Sequence, residues 1–157
     1  MRYFAELDED NIVINVIDFD NDTIENNRGN LDAEAWVSYT TPKTESSLSY
    51  TNKPGVKFLE TYTDGTRKQK AGISFSYNTN KNKFLTVKPY PSWTLNSNDD
   101  WTAPTAAPST NPDGEAFDTD DRKALMAWNE DDLWWEHQPD LVTDPNKKWN
   151  GSAWVAI

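Results

Sequence analysis

The sequence predicts a mainly β fold made of short hairpins. β-Branched and aromatic residues fall in short alternating runs, and clusters of Asn, Asp and Gly separate those runs. Pro139 and Pro145 forbid a long helix near the end of the chain. The organisation expected is an N-terminal β domain over 1–104, a Pro-rich connector over 105–114 and a Trp-rich hairpin module over 115–157.

The first 19 residues read as a hairpin. Tyr3–Leu7 is one strand, Asp8-Glu9-Asp10-Asn11 supplies the turn, and Ile12–Phe19 is the second strand. Apolar residues on both faces of that second strand predict a central or doubly covered position. Asp22 or Thr23 can cap a helical turn that Asn26, Asn27 and Gly29 interrupt. A second short helix starts at Asn30 and carries Leu31, Ala33 and Ala35. Trp36–Thr40 alternates and reads as a strand; 41–55 reads as an exposed loop. Val56–Tyr62 and Gln69–Tyr77 read as two strands of a hairpin turning at Asp64-Gly65. Thr102–Gly114, with prolines at 104, 108 and 112, reads as a linker or extended arm. Asp120 or Asp121 can cap a short helix over 122–127.

One unit recurs: two aromatics around a polar turn. It appears as Tyr77–Phe84, Trp93–Trp101, Trp128–Trp135 and Trp149–Trp154. Each copy predicts a hairpin whose aromatics meet across the strands. Seven of the eight tryptophans lie between 93 and 157. They serve either as clamps of a small core or as platforms for a partner. The partner-contact candidates are Trp128, Trp134, Trp135, Trp149, Trp154 and Ile157, because a final apolar strand needs a surface to cover it. Pro89-Tyr90-Pro91-Ser92-Trp93 reads as a rigid packed joint with Trp93 mostly buried.

Composition narrows the function. Aromatics make up 13% of the residues, which argues against general disorder, and no apolar run is long enough to span a membrane. The absence of cysteine excludes disulfides and thiol chemistry. His137, the single histidine, reads as a surface or half-buried residue of an aromatic hairpin. One histidine cannot build a multi-histidine metal centre. The acidic clusters lack the ligand spacing and glycine of a calcium loop, and no P-loop, dinucleotide-binding or nucleophile-elbow motif occurs. The expectation is therefore a non-enzyme, with no catalytic, cofactor or metal residues. A net charge of -11 argues against direct nucleic-acid binding. The charge is segregated: net -8 over 1–42, +6 over 43–88 and -9 over 98–157. One reading is solvated faces; the other is a basic middle that meets an acidic surface, its own or a neighbour's.

Phe4-Ala5-Glu6-Leu7-Asp8-Glu9-Asp10-Asn11-Ile12-Val13 resembles the opening of a family of small virion-associated proteins of marine tailed bacteriophages of the cyanophage type. A second block resembles the same family: Arg67–Ile73, Tyr77–Phe84, Lys88-Pro89-Tyr90-Pro91-Ser92-Trp93-Thr94-Leu95-Asn96, then Trp101-Thr102-Ala103-Pro104. Lys70 departs from the family, which has an aromatic there, and 105–127 has no counterpart. The resemblance implies a virion location and an accessory structural role in capsid, baseplate or tail fibre. It carries no activity, cofactor or catalytic residue. The partners it implies are other phage virion proteins or a second copy in a homo-oligomer. The alternative is a carbohydrate- or receptor-binding module that holds a host surface glycan on exposed tryptophans.

Overall fold

The computed structural model describes residues 1–117, 126–137 and 146–157. Among them are eleven strands in four sheets, two short α-helices and one 3-10 turn, so the fold is mainly β. The chain separates into two compact units, Met1–Val87 and Lys88–Ile157. The boundary expected at 104 falls inside the second unit, because 88–104 packs with the tryptophan strands that follow it.

In the first unit, β1 (Arg2–Leu7), β2 (Val13–Phe19) and β3 (Lys57–Thr61) form an antiparallel sheet in the order β2-β1-β3. Strand β2, expected to be central or doubly covered, is an edge of the sheet and is covered on both faces. Its apolar residues on both faces come from a bulge: Glu6 opposes Asn15, but Leu7 opposes Val13. The extra residue switches the alternation. Ile17 and Phe19 therefore join one core while Val13 and Val16 join the other.

The first core is Phe4, Ile24, Ala33, Val37 and Phe58, under α1 (Asn21–Asn27) and α2 (Ala33–Thr40). The second is Ala5, Leu7, Val13, Ala71 and Phe84, under the hairpin of β4 (Ser76–Asn78) and β5 (Lys83–Leu85). The sheet is thus covered on both faces.

Three expectations for this unit are corrected. Trp36–Thr40 is helical, not a strand: the Asp32 side chain caps the helix at the Ala35 N–H. Ala33, Trp36 and Val37 then land on one face at i, i+3 and i+4, packed into the first core. The Asp64-Gly65 turn forms, with Gly65 at φ +91° and Asp64 accepting from the Thr66 N–H, but it closes no hairpin. β3 pairs with β1, and between Gln69 and Tyr77 only Ser76 and Tyr77 lie in a strand.

The loop over 41–55 carries the short 3-10 turn η1 (Ser46–Leu48) and is tied to the sheet by a buried carboxylate. Glu6 accepts from the Thr44 N–H at 2.6 Å and the Thr44 hydroxyl at 2.7 Å. Gly55 lies so close that a Cβ there would sit 1.9 Å from Glu6 Oε1. Only glycine fits.

The second unit holds a two-stranded hairpin, β6 (Thr94–Leu95) and β7 (Trp101–Thr102). Its main sheet contains β8 (Met126–Asn129), β9 (Trp134–His137), β10 (Lys147–Trp149) and β11 (Trp154–Ala156), antiparallel in the order β11-β10-β9-β8. The helix expected over 122–127 lies mostly outside the described residues; its end, Ala127, is in β8. Three of the four aromatic hairpins pair as expected: Tyr77 opposes Phe84, Trp128 opposes Trp135 and Trp149 opposes Trp154. In the remaining one Leu95, not Trp93, opposes Trp101.

Candidate partner-contact surface

The sheet register brings four tryptophans into one line. Trp128 opposes Trp135, Trp135 opposes Trp149, and Trp149 opposes Trp154, so the row crosses all four strands. Directly opposed residues share a face. The line Met126–His137–Lys147–Ala156 lies two residues along and shares that face; Ala127–Glu136–Lys148–Val155 lies on the other. Edge-to-face contacts stitch the row, with Trp128–Trp135 at 5.3 Å between ring centroids; Trp149–Trp154 is tilted at 5.7 Å.

The Pro-rich segment covers this row. The Trp135 indole N–H donates to the Thr105 carbonyl at 2.9 Å, and that of Trp154 to the Thr110 carbonyl at 2.8 Å. The Thr105 hydroxyl donates to the Leu133 carbonyl. The stretch expected to be a linker or an extended arm is therefore tied down over the row. Its prolines supply no N–H, and two indoles provide donors for the Thr105 and Thr110 carbonyls. Trp93 adds a second cover: it stacks with Tyr90 at 5.6 Å, Trp135 at 5.8 Å and Trp128 at 6.3 Å. It is mostly buried, as expected, and its buried indole N–H has no acceptor among the described residues.

Glu130 locks the joint. It accepts from the Ser92 N–H at 2.7 Å, the Ser92 hydroxyl at 2.8 Å and the Trp128 indole at 2.8 Å. Removal from water pushes its carboxyl up, but the hydrogen bonds from Trp128 and Ser92 outweigh that and hold it below the usual range.

On the opposite face Trp134 stands apart from the row. Its indole donates to Glu136 at 2.9 Å, and the Lys148 ammonium lies 3.9 Å from its ring centroid. Val155 in β11 and Ile157 just after it are exposed, Ile157 to 63%. The Asn150 N–H bonds to the Ala153 carbonyl and the Ile157 N–H to that of Asn146, so Ala153, Val155 and Ile157 face β10. The backbone groups of Trp154 and Ala156 then point outward, from a strand with no charged residue.

The first unit treats its edge differently. The outward N–H of Phe58 donates to Ser38 Oγ, whose hydroxyl is within 3.3 Å of the Phe58 carbonyl. The Glu60 N–H donates to Glu34 Oε1, and Arg67 donates to the Glu60 carbonyl at 2.6 Å. A cavity of about 230 Å³ lies there, lined by Arg2, Glu34, Glu60, Tyr62 and Arg67. Arg2 reaches Glu60 with two bonds, at 2.6 and 2.7 Å. Burial pushes the Glu60 carboxyl up, but Arg2 and the Tyr62 hydroxyl more than reverse it, so it titrates below the usual range. Burial and Glu60 together push the Tyr62 phenol up. Bases of the middle segment thus meet acids of the first: Lys53 pairs with Glu9 and Asp10, and Arg67 with Glu34.

Of the six partner-contact candidates, Trp128 is interior at 6% exposure, and Trp135, Trp149 and Trp154 are half-buried in the covered row. Trp134 and Ile157 lie elsewhere. His137, expected at the surface or half-buried, is buried at 4% exposure beside the rings of Phe117 and Trp154. The sequence reading missed the lock between Glu130 and Ser92. Counting outward from each turn would have aligned the tryptophans, but the strand order joining the two hairpins is not encoded locally.

Among the described residues no group of three or more His, Asp or Glu side chains is placed to hold a metal ion. No helix among them is long and apolar enough to cross a membrane. No protein family, curated protein or solved structure matches the chain.

Proposed function

We propose that this chain is a non-enzymatic structural protein of a tailed-bacteriophage virion, an accessory component that acts through protein–protein contacts of its second unit. The observation that carries the reading is the pairing of a closed aromatic interior with a strand edge that no described residue covers. The tryptophan row lies under Trp93 and the segment that carries Thr105 and Thr110, whereas Val155 of β11 and the following Ile157 are exposed and the Trp154 and Ala156 backbone points away from β10. Uncovered apolar edges on a folded domain are normally met by another chain. The resemblance of the Lys88–Trp93 block to phage virion proteins supplies the setting.

The glycan-binding alternative needs open indole faces. Trp134 is the candidate ring outside the row, and Lys148 already occupies one side of it. The protein-contact reading is therefore preferred.

The test is incorporation into phage particles. Replacing both Val155 and Ile157 by Asp should leave the fold intact, because both side chains are exposed, and reduce the copies per particle severalfold. Unchanged incorporation, with glycan binding that disappears in Trp134→Ala, would establish the alternative.

A further inference from the structure

We infer that the outer edge of β11 is a docking site for an extended strand of a partner protein that carries an acidic residue opposite Ala156. This names the partner chemistry of the assembly role proposed above and rests on it.

The backbone supplies the first part of the argument. Val155 bonds inward to β10, so Trp154 and Ala156 present two N–H and two C=O groups outward, enough to hold one more antiparallel or parallel strand. Natural sheets guard such edges with lysine, proline, bulges or covering segments. Trp154-Val155-Ala156 contains none of these residues, and no bulge interrupts its register with β10. The edge of β3 in the same molecule is sealed by Ser38, Glu34 and Arg67.

Charge identifies the occupant. Lys147 is the direct neighbour of Ala156 in β10 and lies on the same face. Its ammonium has no acceptor among the described residues. The small Ala156 side chain leaves room for the lysine stem to lie across it and reach a carboxylate on the next strand. Lys148 lies beside Val155 on the other face. Lys148 is balanced by Glu136, its direct neighbour in β9, while Glu130, Asp131 and Asp132 sit in the β8–β9 turn, at the far edge of the sheet. On the face that carries Ala156, Lys147 is the charged residue among the described strand positions. A partner strand would place a carboxylate against Lys147, an apolar side chain against Val155 and a flat or aliphatic one against Trp154. A second copy of β11 offers no carboxylate in that register.

The experiment uses the full chain and two synthetic strand peptides of alternating valine and threonine, one with a central glutamate and its twin with lysine. Binding is read by calorimetry, and by hydrogen exchange at the Trp154 and Ala156 amides. The glutamate peptide should bind about tenfold more tightly than its twin at low salt, and the difference should shrink as salt is added. Ala156→Pro removes an outward donor but no bond to β10, and should abolish binding while the melting temperature is kept. Lys147→Glu provides an independent check and should invert the preference between the twins.

Absence of binding, or equal affinity for both peptides, overturns the assignment. Concentration-dependent dimerisation that Ala156→Pro blocks also overturns it, in favour of a second copy. Entry of the wild-type chain into particles without any peptide binding would overturn this edge assignment alone. Absence of the chain from particles would overturn the assembly reading on which it rests.

Discussion

In the first unit the outward N–H and C=O groups of Phe58 and Glu60 all meet side chains, Ser38, Glu34 and Arg67, supplied by α2 and the segment after β3. In the second unit the corresponding groups of Trp154 and Ala156 meet none among the described residues. Both sheets are small and antiparallel, but they use polar side chains for opposite purposes. The first closes its backbone laterally and buries both faces under aliphatic and phenylalanine cores. The second directs two of its indole N–H groups at a covering segment above one face, and its β11 edge has no partner among the described residues. A protein that can seal an edge and does so at one sheet has a reason to leave the other open.

The comparison can be broken most directly in the tryptophan row. Trp128→Ala removes the ring that touches Trp93 and Trp135 and the indole that bonds Glu130. The expected loss is about 3–5 kcal/mol, as for large aromatic truncations in cores. Calorimetry should show it in the unfolding of the second unit, with the first unit's transition unmoved.

The sealed edge is tested by Ser38→Ala. It strands the Phe58 N–H without its acceptor in a buried position, an expected cost of about 1–3 kcal/mol measured by urea unfolding. The variant should also self-associate more readily than the parent, because it uncovers part of β3. Unchanged stability would mean that the hydroxyl seals nothing.

A finer probe separates ring packing from donor chemistry. Trp135→Phe keeps an aromatic in the row but loses the bond to the Thr105 carbonyl. It should cost about 1–3 kcal/mol and raise hydrogen exchange or protease cutting in 102–114. If that segment stays protected, the indole is not what holds it.

Acid gives the smallest effect. The carboxyls of Glu60 and Glu130 titrate below the ordinary glutamate range in the folded chain. Their contribution to stability is present in full above that range and is lost as pH falls through the depressed folded values. Unfolding followed between neutral and strongly acidic pH should therefore show falling stability, with a shallower slope in Glu60→Gln. Glu130→Gln should flatten it less, because Glu130 is held by neutral donors and not by an arginine.

Much of this could be read from residue order. Local turn chemistry placed the first hairpin and the aromatic hairpins, since Asn, Asp and Gly at the turns leave few alternatives. The errors have physical causes. Trp36-Val37-Ser38-Tyr39-Thr40 alternates like a strand, yet a cap at Asp32 and a helical stripe through Ala33 and Val37 decide the matter, and both depend on the sheet beneath. Apolar residues on both faces of β2 showed that it is doubly covered but could not tell an edge strand from a central one. Thr102–Gly114 has the composition of a linker, and composition cannot report that its carbonyls will meet two indoles carried by strands further along the chain. The strand order that lines up four tryptophans is likewise a long-range property.

The row also makes the second unit report on itself optically. Indoles held a few ångströms apart at fixed tilts share their excited states, and the resulting splitting in circular dichroism depends on mutual distance and angle. Trp128 and Trp135 meet at 5.3 Å and 67°, Trp149 and Trp154 at 5.7 Å and 58°. Each pair is a short-range ruler printed into its own hairpin. A strand arriving at β11 must disturb the outer pair first and the inner pair last, so the order in which the two signals change would tell from which side the sheet is approached.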